Sequence, residues 1–448
     1  MVLKKTYKLY IDGKWVNSAS GETFPSINPA NPKQVLGKFQ RGNGKDVNRA
    51  VDAADRAFEK WSNTPAPKRG LILLRVAESL RKNKESLAKL LTKEMGKVIA
   101  EARGDVQEAI DMAEYMAGEG RRLFGHTTPS ELKDKFCMTI RMPVGIFGLI
   151  TPWNFPIAVP AWKIFPALIC GNTVVFKPSS DTPLCATKLV EILEKAGLPK
   201  GVLNLVTGPG GGVGMSIVRN EKIRGISFTG SKDTGEIITK EAGLKKVGLE
   251  LGGKNGIIVM DDADLNLALD GVIWGGYGTT GQRCTAASRV IVHEKIKEKF
   301  EDMLVNRIEK LRLGSGLNPK TDVGPLINKA AQDKSQNYTE IGLRDGAKIL
   351  IGGRIPKMKG FFFEPTLFTN CTIDMRIAQE EIFGPIVSLI PVKDFDEAID
   401  AMNSIDYGLS SAIYTEDIRK AFLAIQHIEA GLTYVNSSTI GSEVHLPF

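Results

Sequence analysis

"TVVFKPSSDTPLCATKLVEILEKAGLPKGVLNLVTG" (173–208) decides the fold class. "TVVFKP" is short, apolar and β-branched, the pattern of a strand buried on both faces. "DTPLCATKLVEILEKAGLP" then repeats apolar residues at helical spacing and is closed by Gly197 and Pro199. "GVLNLVTG" (201–208) is a second short apolar run. Strand, helix and strand in succession imply parallel pairing in an α/β domain.

The same alternation extends downstream. A helix is expected near 212–220, "IRGISFTG" (223–230) leads to the helix "SKDTGEIITKEA", and "VGLELGG" (247–253) closes the series. A second alternating block runs from Gly256 to about Ala430, with a helix at 294–311 and strands near 286–293, 386–392 and 411–414. Upstream, 46–116 is helical in period, with Val47, Ala50, Val51, Ala54, Ala57 and Phe58 on one stripe and Asp46 as a plausible N-cap. The stretch 122–145, with its polar break "GHTTPSELKDK", reads as a projecting hairpin. The expected division is 1–121 with 144–252 as one domain, 253–430 as a second, 122–143 as the hairpin, and 431–448 leading towards a tail.

The totals narrow the function class. With 448 residues, 42% of them hydrophobic, the chain can bury a large core without disulfides or metals. The net charge of +8 comes from interleaved charges, as in "EKFEDMLVNRIEKLR" (298–312), a solvated helix face. Aromatic–basic clusters for stacking bases are missing, so no nucleic-acid partner is expected. Five cysteines are an odd number, with no CxxC and no histidine at zinc spacing, which argues against a disulfide framework and against a metal site. The N-terminus lacks an apolar core and no run of 18 apolar residues occurs, so no membrane segment and a reducing, cytoplasmic location are expected.

Three stretches carry candidate chemistry. Cys284 in "GTTGQRCTAAS" is flanked by small residues, and Arg283 beside it could lower a thiol pKa; the other four cysteines have ordinary structural surroundings. Taken alone, Cys284 is either a small buried hydrophobe or a nucleophile. Glu250 in "GLELGGKN" ends an apolar run, where partial desolvation would raise its pKa towards that of a general base; the alternative is a solvated turn glutamate. Asn154 in "LITPWNFPIAVPAWK" sits on backbone stiffened by Pro152, Pro156 and Pro160, and is either an oxyanion donor or a turn cap. The glycine-rich "GPGGGVG" (208–214) fails the GxGxxG pattern, since Val213 or Met215 stands at the third glycine position.

"TPWNFP", "VVFKPSSDTP", "SFTGS", "LELGGKN", "GQRC" and "EEIFGP", in this order, resemble the aldehyde dehydrogenase superfamily. The resemblance runs from "YIDGKWV" (10–16) to "HLPF" (445–448). It implies a Rossmann-like dinucleotide-binding domain, an α/β catalytic domain and a hairpin used for oligomerisation into a homodimer or homotetramer. It further implies NAD(P)-dependent oxidation of an aldehyde to a carboxylic acid, with a binding loop that does not use GxGxxG. Cys284 would be the nucleophile, Asn154 an oxyanion donor, Glu250 the base for hydrolysis and Lys163 a proton relay. Lys177 with Ser179 and Ser180 would meet the adenosine ribose, Ser231 after Phe228, Thr229 and Gly230 the pyrophosphate, and Glu381 and Phe383 the nicotinamide ribose. Thr151, Pro152, Trp153, Gly210, Gly214, Leu251 and Gly252 complete the implied cofactor contacts, and Phe155, Trp162, Arg283, Thr285 and Phe448 the implied substrate pocket.

Two departures from the family pattern bear on function. NAD-preferring members commonly carry Glu three positions after the lysine; here Ser180 stands there, which admits the 2′-phosphate of NADP. The family also continues past "LPF", so a missing tail is expected. "SNTPAPKRG", "GQRCTA" and "SRVIV" are most similar to the branch acting on semialdehydes such as 2,5-dioxopentanoate and succinate semialdehyde. Retention of Glu250 disfavours a CoA-acylating relative, and the intact Cys284, Asn154 and Glu250 set disfavours a non-catalytic one.

Overall fold

The structure, a computed structural model, describes residues 5–448. The chain forms two compact units, one comprising residues up to Ile27, Gln34–Glu94 and Ala102–Glu250, the other Asn28–Lys33, Met95–Glu101 and Leu251–Phe448. The two short excursions into the second unit depart from the division expected from sequence, in which 1–121 stayed whole. Their partners lie far along the chain: Pro29 O accepts from Phe361 N, and Ile99 N donates to Gly316 O, pairings that no local pattern announces.

In the first unit, a seven-stranded sheet runs in the order Lys246–Glu250, Ile223–Thr229, Ile146–Ile150, Thr173–Lys177, Leu203–Leu205, Leu9–Ile11, Lys14–Val16. The first five are parallel, and the last two form an antiparallel hairpin on the edge. Strand order reverses beside Ile146–Ile150: the chain first moves to Thr173–Lys177 on one side and later to Ile223–Thr229 on the other. Ligand-binding crevices of open α/β sheets form at the carboxyl ends of strands at such a switch. Four of these strands end at Ile150, Lys177, Thr229 and Glu250, each followed directly by residues singled out above.

Local sequence explains most helix boundaries. Helix Gly44–Ser62 is capped by Asn43, not by Asp46; Asp46 is the third helical residue and returns a bond to Asn43 N, completing a capping box. Helix Pro183–Lys195 has no cap from Thr182. Its leading N–H groups at Leu184 and Cys185 instead donate to the buried Glu94 carboxylate, at 2.7 Å each. The helix expected near 212–220 is two pieces: a wide turn Gly210–Gly214, in which Gly214 N reaches Pro209 O, and a short helix Met215–Arg219. In the projecting stretch, Thr127–Thr128 pairs antiparallel with Cys137–Met138. The strand expected to begin near Phe136 is otherwise confined to Ile146–Ile150.

The second unit holds another seven-stranded sheet, ordered Lys348–Ile351, Thr366–Thr369, Ile386–Val392, Ala287–His293, Asn255–Val259, Ser410–Tyr414, Leu432–Val435. All but the first are parallel. Its core joins Ile257, Val259, Val290, Val292 and Leu389 to helix Leu265–Tyr277. The chain enters this sheet at Asn255, five residues after leaving the first at Glu250. Among the described residues, no helix is long and apolar enough to cross a membrane.

Candidate active site

In the first unit the parallel register aligns the strand ends. Ile150 pairs with both Lys177 and Phe228, and Thr229 pairs with Glu250. Beyond Ile150 the chain enters Thr151, Pro152, Trp153 and Asn154, and both Thr151 and Asn154 are buried. Helix Ala158–Ile169 follows; its first N–H, at Ala158, donates to the buried Asp105 at 2.7 Å. Burial of this apolar helix carries Lys163 inward, where it is only 8% exposed.

Lys163 and Glu250 are brought together. Desolvation lowers the Lys163 amine to about 8, while the charge of Glu250 acts in the opposite direction. Burial raises the Glu250 carboxyl above its ordinary range, and Lys163 partly offsets that. Lys163 Nζ donates to Ser227 Oγ at 3.0 Å. A half-desolvated carboxylate beside an amine titrating near neutrality is suited to accept and pass on a proton.

Lys177 is buried at the end of its strand and bonds the carbonyl of Pro178. Desolvation lowers its pKa to about 8, with Asp181 opposing. An ammonium carries three donors, so Lys177 keeps hydrogen-bonding capacity for a ligand hydroxyl. Ser180 Oγ donates to Gly208 O at 3.0 Å, and Ser179 Oγ to Asp181. Ser231 caps helix Lys232–Glu241 by accepting from Thr234 N, so backbone N–H groups open the helix at that point. A Cβ at Gly210 or Gly211 would meet nothing within 4 Å, so the wide turn leaves its backbone accessible. Buried cation, hydroxyls and bare backbone N–H groups fit a dinucleotide.

In the second unit the candidate residues gather at the amino ends of strands. Helix Leu265–Tyr277 ends in the turn Gly278–Gly281, then Cys284 precedes strand Ala287–His293. Thr279, Thr280 and Gly281 all have left-handed backbone, with φ of 51°, 60° and 68°. For a β-branched residue this costs on the order of 1–3 kcal/mol. The loop is nevertheless held: Thr280 Oγ1 donates to Gly324 O, Gln282 Oε1 accepts from Ile327 N, and Asn255 Nδ2 donates to Cys284 O at 2.7 Å. Cys284 itself is half-buried.

Glu381 accepts from Gly253 N at 3.0 Å, and a Cβ at Gly252 would fall 2.3 Å from its Oε2, so a side chain at 252 would displace this carboxylate. Burial raises the Glu381 carboxyl. Phe383 has left-handed backbone, φ 60°, just before strand Ile386–Val392. Thr285 O accepts from Thr439 Oγ1, while Phe448 is 39% exposed. Phe155 and Trp162 are partly buried in the first unit. Arg283, implied as a substrate-pocket residue, is 8% exposed and turned to Glu101.

Sequence reasoning missed Ser227, Asn255 and Glu101. Asn255 follows "LGGK" and could have been suspected as a strand-opening bracket. Glu101 lies 182 positions from Arg283 on a helix with nothing else to mark it.

The aldehyde dehydrogenase family model matches residues 15–448. The chain belongs to the aldehyde dehydrogenase family. It is 45% identical to the alpha-ketoglutarate semialdehyde dehydrogenase of Haloferax volcanii, over 98% of this chain and 92% of that one. It is 40% identical to the D-glyceraldehyde dehydrogenase (NADP(+)) of Picrophilus torridus, over 96% and 88%. Among solved structures, betaine aldehyde dehydrogenase of Staphylococcus aureus in complex with NAD+ superposes with a TM-score of 0.96 at 38% identity, covering 98% of this chain and 88% of that one. Family membership accounts for the α/β fold.

Proposed function

We propose that this enzyme oxidises a small anionic semialdehyde to the dicarboxylate, accepting NADP and also NAD. The thiolate of Cys284 attacks the aldehyde carbon, forming the C–S bond and an oxyanion stabilised by the Asn154 amide and the Cys284 N–H. NAD(P)+, when bound, supplies the two-electron acceptor; Lys177, Ser231 and Glu381 are the residues that would hold it. The resulting thioester is attacked by a water whose proton passes to Glu250, the C–S bond breaks, and the thiolate is restored. Lys163 takes up and releases the proton from Glu250.

The observation that carries the hydrolytic reading is the Lys163–Glu250 pair, a buried amine lowered to about 8 beside a half-buried carboxylate whose pKa burial raises. Ser180 supports NADP: a neutral hydroxyl offers no repulsion to a 2′-phosphate, and the Picrophilus torridus relative bears NADP(+) in its name. The substrate class is supported by the Haloferax volcanii relative, whose semialdehyde is a dicarboxylate precursor. The test is kcat/KM for 2,5-dioxopentanoate, succinate semialdehyde and neutral aldehydes of equal length, with each cofactor, with and without CoA. A large preference for neutral aldehydes refutes the semialdehyde assignment, and CoA-dependent turnover refutes hydrolysis.

Self-association as a dimer or tetramer is part of the same reading. Phe124, Phe136, Ile140 and Met142 are each at least 65% exposed in the projecting stretch, more apolar surface than a monomer ordinarily leaves in water. Light scattering on the purified enzyme checks this, and a monomer at micromolar concentration refutes it. A cytoplasmic location is supported by the five free cysteines, and detection of the enzyme in an exported fraction would refute it.

A further inference from the structure

The turn before Cys284 is held from a helix far away in sequence. Glu101 Oε1 accepts from Thr279 N at 2.7 Å and from Arg283 Nη2 at 3.3 Å. Arg283 Nε donates to Thr279 Oγ1 at 2.8 Å, and its guanidinium lies 4.9 Å from the Trp274 ring centroid. The two charged side chains are 8% and 3% exposed. One carboxylate oxygen thus binds both ends of a turn whose central residues, Thr279 and Thr280, are β-branched and left-handed. Space is tight as well: a Cβ at Gly281 would fall 2.2 Å from Gly384 O, so a side chain has no room at that position.

A left-handed threonine pair persists only where its surroundings over-determine it. An arginine reaching out for a substrate carboxylate would be open to solvent, whereas this one stacks on Trp274 and faces a buried glutamate. We propose that Arg283 and Glu101 form a clamp that locks the Thr279–Gly281 turn and so positions the sulfur of Cys284, making Arg283 a positioning residue and not a substrate anchor. This rests on Cys284 being the nucleophile.

The experiment compares Glu101→Gln, Arg283→Met and the double variant on 5-oxopentanoate and on pentanal, together with the rate of Cys284 alkylation by iodoacetamide. Each single variant should lower kcat by about tenfold or more on both aldehydes, because small misplacement of a reacting group is costly. The ratio of the two KM values should stay as in the parent enzyme, and the double variant should be little worse than either single one, as for groups acting as a unit. Alkylation should slow or quicken in the same way in both single variants. A rise in KM confined to 5-oxopentanoate in Arg283→Met would make it a substrate anchor and overturn the clamp. Unchanged kcat in Glu101→Gln, which keeps an acceptor for Thr279 N–H and is expected to fold, would overturn it too. Thr279→Gly in the Arg283→Met background should recover part of the lost kcat by removing the left-handed penalty, and no recovery would count against the clamp. Full turnover by Cys284→Ala would sink the nucleophile reading instead, while alkylation rates measured in a Cys284-containing enzyme would still report the turn.

Discussion

Replacing Lys163 with methionine should stabilise the protein at neutral pH while impairing turnover. The amine is buried, and its pKa falls from 10.5 to about 8. That difference corresponds to about 3 kcal/mol by which the folded state disfavours the charged form. The sign follows from linkage. Above 10.5 the amine is neutral folded or unfolded and contributes nothing. As pH falls from 10.5 towards 8 the unfolded chain takes up a proton that the folded chain refuses, so the penalty grows, and it is complete below 8. Methionine removes it but leaves Ser227 without its donor, which returns about 1 kcal/mol. The net gain at pH 7 is about 2 kcal/mol, a rise in Tm of about 4–8 °C for units of this size. Differential scanning calorimetry of both proteins at pH 7 and pH 10 measures it: the gap should be widest at pH 7 and shrink by pH 10. A gap that is equal at both values, or a variant less stable at pH 7, would refute desolvation of the amine. The kinetic counterpart is equally directional. Loss of a neighbouring cation raises the Glu250 pKa further, so the acid limb of the kcat profile should move to higher pH.

Cys284→Ala should abolish dehydrogenase activity and leave NADP affinity within about threefold, checked by turnover and by fluorescence titration of the cofactor. Ser180→Glu should weaken NADP binding by about tenfold or more and spare NAD, since a carboxylate there faces the 2′-phosphate; an unchanged NADP Kd would remove Ser180 from the cofactor site. Gly252→Ala puts a methyl 2.3–2.5 Å from the Glu381 carboxylate, which must move and release Gly253 N. The KM for the cofactor should rise with at most about 1–3 kcal/mol lost in stability, read from kinetics and Tm together, and a parent-like KM would free Glu381 of its assigned contact.

Much of the fold was legible because its pattern is local. Alternating apolar strands and helices around 173–208 dictate a parallel sheet, since buried strands must be apolar on both faces. Residues at strand ends, among them Lys177, Ser231 and Glu250, follow from that pattern, because a parallel sheet presents its carboxyl ends together. Ordered motifs then placed Cys284 and Asn154 in one family. Tertiary structure alone decided the rest. Which strands adjoin at the switch point depends on crossover connections, and no residue spacing encodes their side. Glu94 capping a helix 90 positions away, Asp105 holding the start of the Lys163 helix, and Glu101 gripping the Cys284 turn are long-range pairings of carboxylates with backbone N–H groups. Their sequence surroundings are those of ordinary helical acids, so only folding reveals that they are buried and what they hold. Arg283 shows the consequence: its neighbourhood to Cys284 is written in the chain, but whether its charge meets a substrate or a glutamate depends on what folds against it.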